Sequence, residues 1–251
     1  METFNITLPT SWAELTDKQL HMVYSLFARD LSSSEVKTLC LMKWNKLTVL
    51  GQMPDKRFII KRKGEPEVAL STRQIQQATS VLDYLDSFAP MPVRISKIGR
   101  HKALPADFEK VPFEQFLFVE NLFQGYLNTQ SDELLLQMAQ VLYASDHVKP
   151  DKAQLVGIFY WMASLKQYFA GLFSNFYKPA GANSDGNLLG GGQSDLYSQL
   201  RDSTNAMIRA LTGGDITKEA AIMKMDTWRA LTELDAKARE VEEIKKATKK
   251  S

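Results

Sequence analysis

Apolar residues recur at steps of three and four through most of the chain, the spacing that puts one face of an α-helix against a core. Leu20, Val23, Tyr24 and Phe27 form the first such stripe. It follows SWAELTDKQL, where Ser11 with Glu14 and Thr16 with Gln19 both have the spacing of a capping box. In that box a hydroxyl accepts an orphan N–H while the partner side chain reaches back. The pattern predicts a short turn and then a helix over about 17–29. Ser32 and Glu35 repeat the spacing and open a second helix, with Val36, Leu39, Cys40 and Leu47 on its apolar side.

RFIIKRKGEPEVAL interrupts this rhythm with two β-prone runs around Gly64, which predicts a small hairpin near 57–70. Helical spacing returns over 72–88 through Ile75, Ala78, Leu82 and Leu85. APMPVRISKIGRHKALP is bounded by prolines and is expected to be extended or looped. Pro112 suits a first helical turn, followed by Phe113, Phe116, Leu117 and Phe123. Ser131 caps the next stripe, Leu134, Leu135, Met138 and Leu142. Beyond Pro150, residues 153–177 are mostly apolar and aromatic. The uncharged part before Lys166 is shorter than the roughly 20 residues of a membrane span, so a buried central helix is expected.

From Lys178 the texture changes to Gly, Ser, Asn and Asp, the composition of a flexible linker. Helices over 196–211 and 216–246 follow, separated by Gly213 and Gly214, with Asp215 as N-cap of the last. No internal repeat is visible. The expected architecture is mainly α. It comprises a multi-helix body with hairpin over 1–177, a Gly-rich linker over 178–194 and a C-terminal helical pair over 195–251.

Composition narrows the function classes. A net charge of +2 gives no bulk attraction to nucleic acid or anionic membrane. The single cysteine, Cys40, excludes an intramolecular disulfide and lies in the apolar run TLCLMKW, so it reads as core. METFNITLPTSW lacks the basic-then-apolar pattern of a signal peptide, and none is expected. His21, His101 and His147 are far apart without a second ligand at helical spacing, so no metal is expected. Asp146, His147 and Asp151 form the closest carboxylate–imidazole group, in a loop where polar residues belong anyway. Gly186 and Gly191 have phosphate-loop spacing, but Gly192 and Gln193 stand where Lys and Ser or Thr are needed. The chain is therefore expected to have no catalytic residue, no cofactor and no enzymatic activity.

Basic residues gather at three places, the last at Lys245 to Lys250. The two that offer a nucleic-acid surface are Lys56, Arg57, Lys61, Arg62 and Lys63 at the hairpin, and Arg94, Lys97, Arg100 and Lys102 in the Pro-bounded loop. Phe58, Ile59 and Ile60 between the first set look like core rather than a stacking platform. Nucleic-acid binding is an alternative, not the favoured reading.

The last helix offers more. Trp228, Leu231, Leu234, Ala238, Val241 and Ile244 make a narrow apolar stripe. Five opposite-charge pairs four residues apart surround it: Arg229–Glu233, Glu233–Lys237, Asp235–Arg239, Arg239–Glu243 and Glu242–Lys246. The stripe either packs on the protein's own body or meets a partner helix through Trp228, Leu231, Leu234, Val241 and Ile244.

LTGGDITKEAAIMKMDTWRALTELDAKAREVEEIKK, residues 211–246, resembles the C-terminal part of tail-assembly proteins of tailed phages and prophages. The shared look is a glycine break, an Ile–Met…Met–Asp–x–Trp…Leu helix start and a charged end. FEQFLFVENLFQGYLNTQSDELLLQMAQVLYAS, residues 113–145, is similar to small phage morphogenesis proteins. The resemblance implies a chaperone-like assembly factor in the host cytoplasm, whose partner is a helical tape-measure protein or a tail-tube subunit. The greater length, the hairpin and the basic loop depart from the short tail chaperones and leave open a structural component of the virion.

Overall fold

A computed structural model describes residues 5–177 and 193–248. The linker assigned to 178–194 and the glycines at 186–192 fall almost wholly outside the described residues. Gln193 already opens a helix. The described residues divide into two compact units, one within Met1–Ser96 and Pro150–Ser164, the other within Lys97–Lys149 and Leu165–Ser251. This division does not coincide with a split at the Gly-rich segment, since the C-terminal helices share a unit with residues 97–149. The protein is mainly α with a small antiparallel sheet, as the periodicity predicts.

In the first unit, α1 (Asp17–Phe27) and α2 (Ser33–Trp44) start on the expected boxes. Thr16 accepts from the Gln19 N–H, Ser32 from that of Glu35, and both partner side chains reach back. Ser11 makes no such cap; the Glu14 carboxylate instead accepts from the Thr10 N–H and hydroxyl at 2.7 and 2.8 Å. Leu47 is not on α2. It begins β1 (Leu47–Gln52), which pairs with β2 (Phe58–Arg62), itself paired with β3 (Val68–Leu70). The hairpin around Gly64 is β2–β3, and Gly64 turns it at φ +84°, where a side chain would be strained. A third box, Ser71 with Gln74, opens α3 (Thr72–Thr79), which tightens into a 3₁₀ stretch, Ser80–Asp86.

The core of this unit is aromatic. Trp12, Tyr24, Leu82 and Cys40 are buried, and the Trp12 indole N–H donates to the carbonyls of Tyr84 and Ser87 at 3.0 and 3.1 Å. Burial pushes the Cys40 thiol up to about 12, which keeps it protonated and inert. α6 (Lys152–Leu172) begins here, capped by Asp151, whose carboxylate accepts from the Gln154 N–H while Gln154 accepts from that of Asp151.

The second unit holds the C-terminal part of α6, with Leu165 and Phe169 buried on it and Phe173 buried just beyond its end. α4 (Phe113–Thr129) and α5 (Asp132–Leu142) form a helical hairpin, turned by Gln130 at φ 54°. Lys97–Ile98 (β4) and His101–Lys102 (β5) make a two-residue strand pair inside the Pro-bounded segment. α7 (Gln193–Thr212) follows, and Asp215 caps a 3₁₀ turn, as its position predicts.

The expected helix over 216–246 is broken: α8 (Glu219–Met223) ends, and α9 (Thr227–Thr248) starts afresh. The cause is tertiary. Met225 O accepts from the Phe113 N–H at 2.8 Å, and the Thr227 N–H donates to Val111 O at 2.9 Å, so Asp226 pairs with Pro112 as an antiparallel bridge. These backbone groups cannot also serve a continuous helix. Among the described residues, no helix is long and apolar enough to cross a membrane.

Candidate interaction surface

The first turns of α9 are capped locally and fastened to the unit through Thr227, Trp228 and Asp235. The Thr227 hydroxyl, fully buried, donates to Val111 O at 2.7 Å. One oxygen of Asp226 accepts from the Arg229 N–H at 3.1 Å and so caps the new helix. The Trp228 indole N–H donates to Asp107 O at 2.8 Å, and its ring meets Tyr168, Phe169 and Phe173 edge-on, with centroids 5.8–6.0 Å apart. Two turns on, the Asp235 carboxylate accepts from the Asn175 and Phe176 backbone N–H groups at 2.8 and 3.0 Å, and from the Asn175 amide at 2.9 Å. Burial works against the charged form of Asp235, but these donors prevail and hold its carboxyl below the usual range.

The apolar stripe therefore has two fates. Leu231 and Leu234 are buried in the unit's own core, and Trp228 is half-buried in the aromatic cluster. Those three residues, expected at a partner interface, are occupied within the chain. Val241 and Ile244 are 48% and 65% exposed. The exposed part of the stripe contracts to this distal end.

The five expected charge pairs on α9 do not close. Asp235 is taken by Asn175 and Phe176, Arg239 acts on it only through space, and the ion pair present on α9 is Lys245–Glu242 at 3.5 Å. The outcome follows from solvent: exposed pairs at helical spacing gain too little to hold two long side chains in one geometry.

The basic residues are unequal. Arg57 pairs with Asp55 at 2.7 Å and Lys61 with Glu67 at 2.9 Å. Arg62 bonds Glu65 at 3.0 Å and the carbonyls of Asn45 and Asn5. The hairpin's own acids thus take up charge that a phosphate would need. Lys56 sits in the β1–β2 turn, and Lys63 is exposed beside Gly64. Arg94 belongs to the first unit; Lys97, Arg100 and Lys102 belong to the β4–β5 pair of the second and are exposed. The basic residues of the Pro-bounded segment are thus divided between the two units.

Polar chemistry also regroups. Asp151 meets His21 Nε2 at 2.7 Å rather than His147. Burial opposes ionisation of Asp151, but the His21 contact and the Gln154 N–H hold its carboxyl below the usual range. Among the described residues, no three His, Cys, Asp or Glu side chains are grouped to hold a metal ion.

A second surface, invisible in the periodicity, lies on the α4–α5 hairpin. It is a groove of about 670 Å³. Phe118, Val141 and Ala144 supply apolar surface, and Phe118 is 50% exposed. Glu114, Glu133 and Asp146 line it with negative charge, and no Lys or Arg lines it.

The chain matches no protein-family model, no curated protein and no solved structure.

Proposed function

We propose that this protein is a non-enzymatic assembly factor of the phage or prophage tail-assembly type. It acts like a chaperone, through helix–helix contacts made by the distal half of α9, in the cytoplasm of the producing cell. One observation carries the reading: a helix latched rigidly at its base by Thr227, Trp228 and Asp235 leaves Val241 and Ile244 exposed on the same stripe. A rigid base limits the ordering cost of docking, so a short apolar end can contribute usefully to binding. The resemblance of residues 211–246 to tail-assembly proteins supplies the class of partner, a long helical tape-measure protein or a tail-tube subunit.

Co-expression with such a partner is the test. A soluble complex is expected, weakened by Val241→Asp with Ile244→Asp and unaffected by Lys61→Glu. Failure of the wild-type chain to co-purify with either partner would sink the proposal. Mass spectrometry of purified particles separates an assembly factor, which is absent, from a structural component, which is retained.

A further inference from the structure

We infer that copies of this chain associate head to tail, the distal end of α9 from one copy seating in the α4–α5 groove of the next. On α9, Lys237, Val241 and Lys245 follow one another at steps of four, with Ile244 and Thr248 beside them. Residues at that spacing share a helix face. The exposed apolar pair is thus flanked on its own face by Lys237 and Lys245, the latter held only by an exposed pair with Glu242 at 3.5 Å, while Glu240 borders Ile244 and Glu243 lies on the opposite side. The groove has the complementary character: Phe118, Val141 and Ala144 within it, and Glu114, Glu133 and Asp146 along it. None of those three acids forms an ion pair with a described residue, so their charge is available to an incoming lysine.

The occupant is a second copy rather than the chain's own helix. Thr227 is pinned to Val111, next to the start of α4, by two hydrogen bonds to Val111 O. Val241 stands about four turns further along, about 21 Å from that pin at the rise of an α-helix. The Asp235 latch fixes the helix on the way. No α9 residue lines the groove, and Val241 and Ile244 remain exposed. An end and a groove on different parts of one surface make a heterologous contact, which propagates into a chain or a ring instead of stopping at a dimer. In this state the apolar end is covered until another helix displaces it.

Sedimentation velocity of the purified full-length chain tests this over a range of protein and salt concentrations. The average mass should rise past that of a dimer with concentration and fall back at high salt, where the lysine–carboxylate attraction is screened. Val241→Asp with Ile244→Asp spoils the end but keeps the groove. Glu114→Lys with Glu133→Lys spoils the groove but keeps the end, and Phe118→Gln is a second groove lesion that leaves charge unchanged. Each variant alone should self-associate at least about tenfold more weakly than the wild-type chain. An equimolar mixture of an end variant and a groove variant should form a one-to-one dimer and nothing larger. A wild-type chain that stays monomeric overturns the proposal, as does a mixture without dimer or a variant that assembles like wild type. The experiment uses this chain alone, so failure to bind a tail protein leaves it standing, and its own failure leaves the partner reading intact.

Discussion

Gly157 of α6 lies against the ring of Tyr24 in α1, so close that a Cβ built on it falls 2.8 Å from Tyr24 Cδ2 and 2.9 Å from Cε2. Tyr24 cannot retreat easily, since it is fully buried beside Trp12, Phe27 and Tyr160. Alanine would improve the helix propensity of α6 by about 1 kcal/mol. The overpacking it forces costs about 1–3 kcal/mol, so the clash outweighs the gain. Gly157→Ala should lower the thermal midpoint, and Gly171→Ala, which meets nothing within 4 Å, should not. Equal effects of the two substitutions would contradict the packing described.

The divided stripe on α9 makes a sharper contrast. Leu231→Ala removes a fully buried side chain and should cost about 2–5 kcal/mol of stability. Ile244→Ala, at the same spacing on the same helix, should stay within about 0.5 kcal/mol. Chemical denaturation of the two variants measures both. A large loss at Ile244 would mean that the distal end packs on its own chain.

This division shows where reading the sequence stops. Caps at Thr16 and Ser32 were legible because donor and acceptor lie three residues apart and need no tertiary information. β1 was not legible: LTVLGQ continues the apolar side of α2, and only its pairing with Phe58–Arg62 makes it a strand. The break before α9 was hidden for the same reason, since Val111, which takes the Thr227 N–H, is remote in sequence. Periodicity located the stripe from Trp228 to Ile244 correctly. It reports which side of a helix is apolar, not how far the body extends along it, so Leu234 and Val241 looked alike.

The β4–β5 pair places Lys97 directly across from Lys102. Like charges at facing positions repel by a few tenths to about 1 kcal/mol. Both side chains are exposed, and neither is in an ion pair with a described residue. Lys102→Glu should therefore raise stability slightly at low salt, with the gain fading as salt rises. The double variant Lys97→Glu with Lys102→Glu should restore the repulsion and cancel the gain. A gain that persists in the double variant would point to loss of net positive charge rather than to this pair.

Acid should loosen the attachment of α9. Asp235 has its carboxyl held below the ordinary 3.8, and burial, which pushes the other way, is overcome by the Asn175 side chain and the N–H groups of Phe176 and Asn175. A depressed folded-state value means that, between that value and the unfolded one, the unfolded chain binds more protons. Stability therefore rises with pH through that window. The contribution is present above the unfolded value, near pH 4, and is lost as pH falls through the folded one. Asp151 and Asp86 are depressed too. Burial opposes both, while His21 and the Gln154 N–H, and Lys37 and Ser33, respectively, outweigh it, so their contributions have the same sign. Asp235→Asn keeps an acceptor for one N–H but gives up the charge, and should cost about 1–3 kcal/mol at pH 7. Thermal midpoints between pH 7 and pH 3 should then fall less steeply for the variant than for the wild-type chain. Parallel curves would show that the Asp235 latch contributes nothing to acid sensitivity.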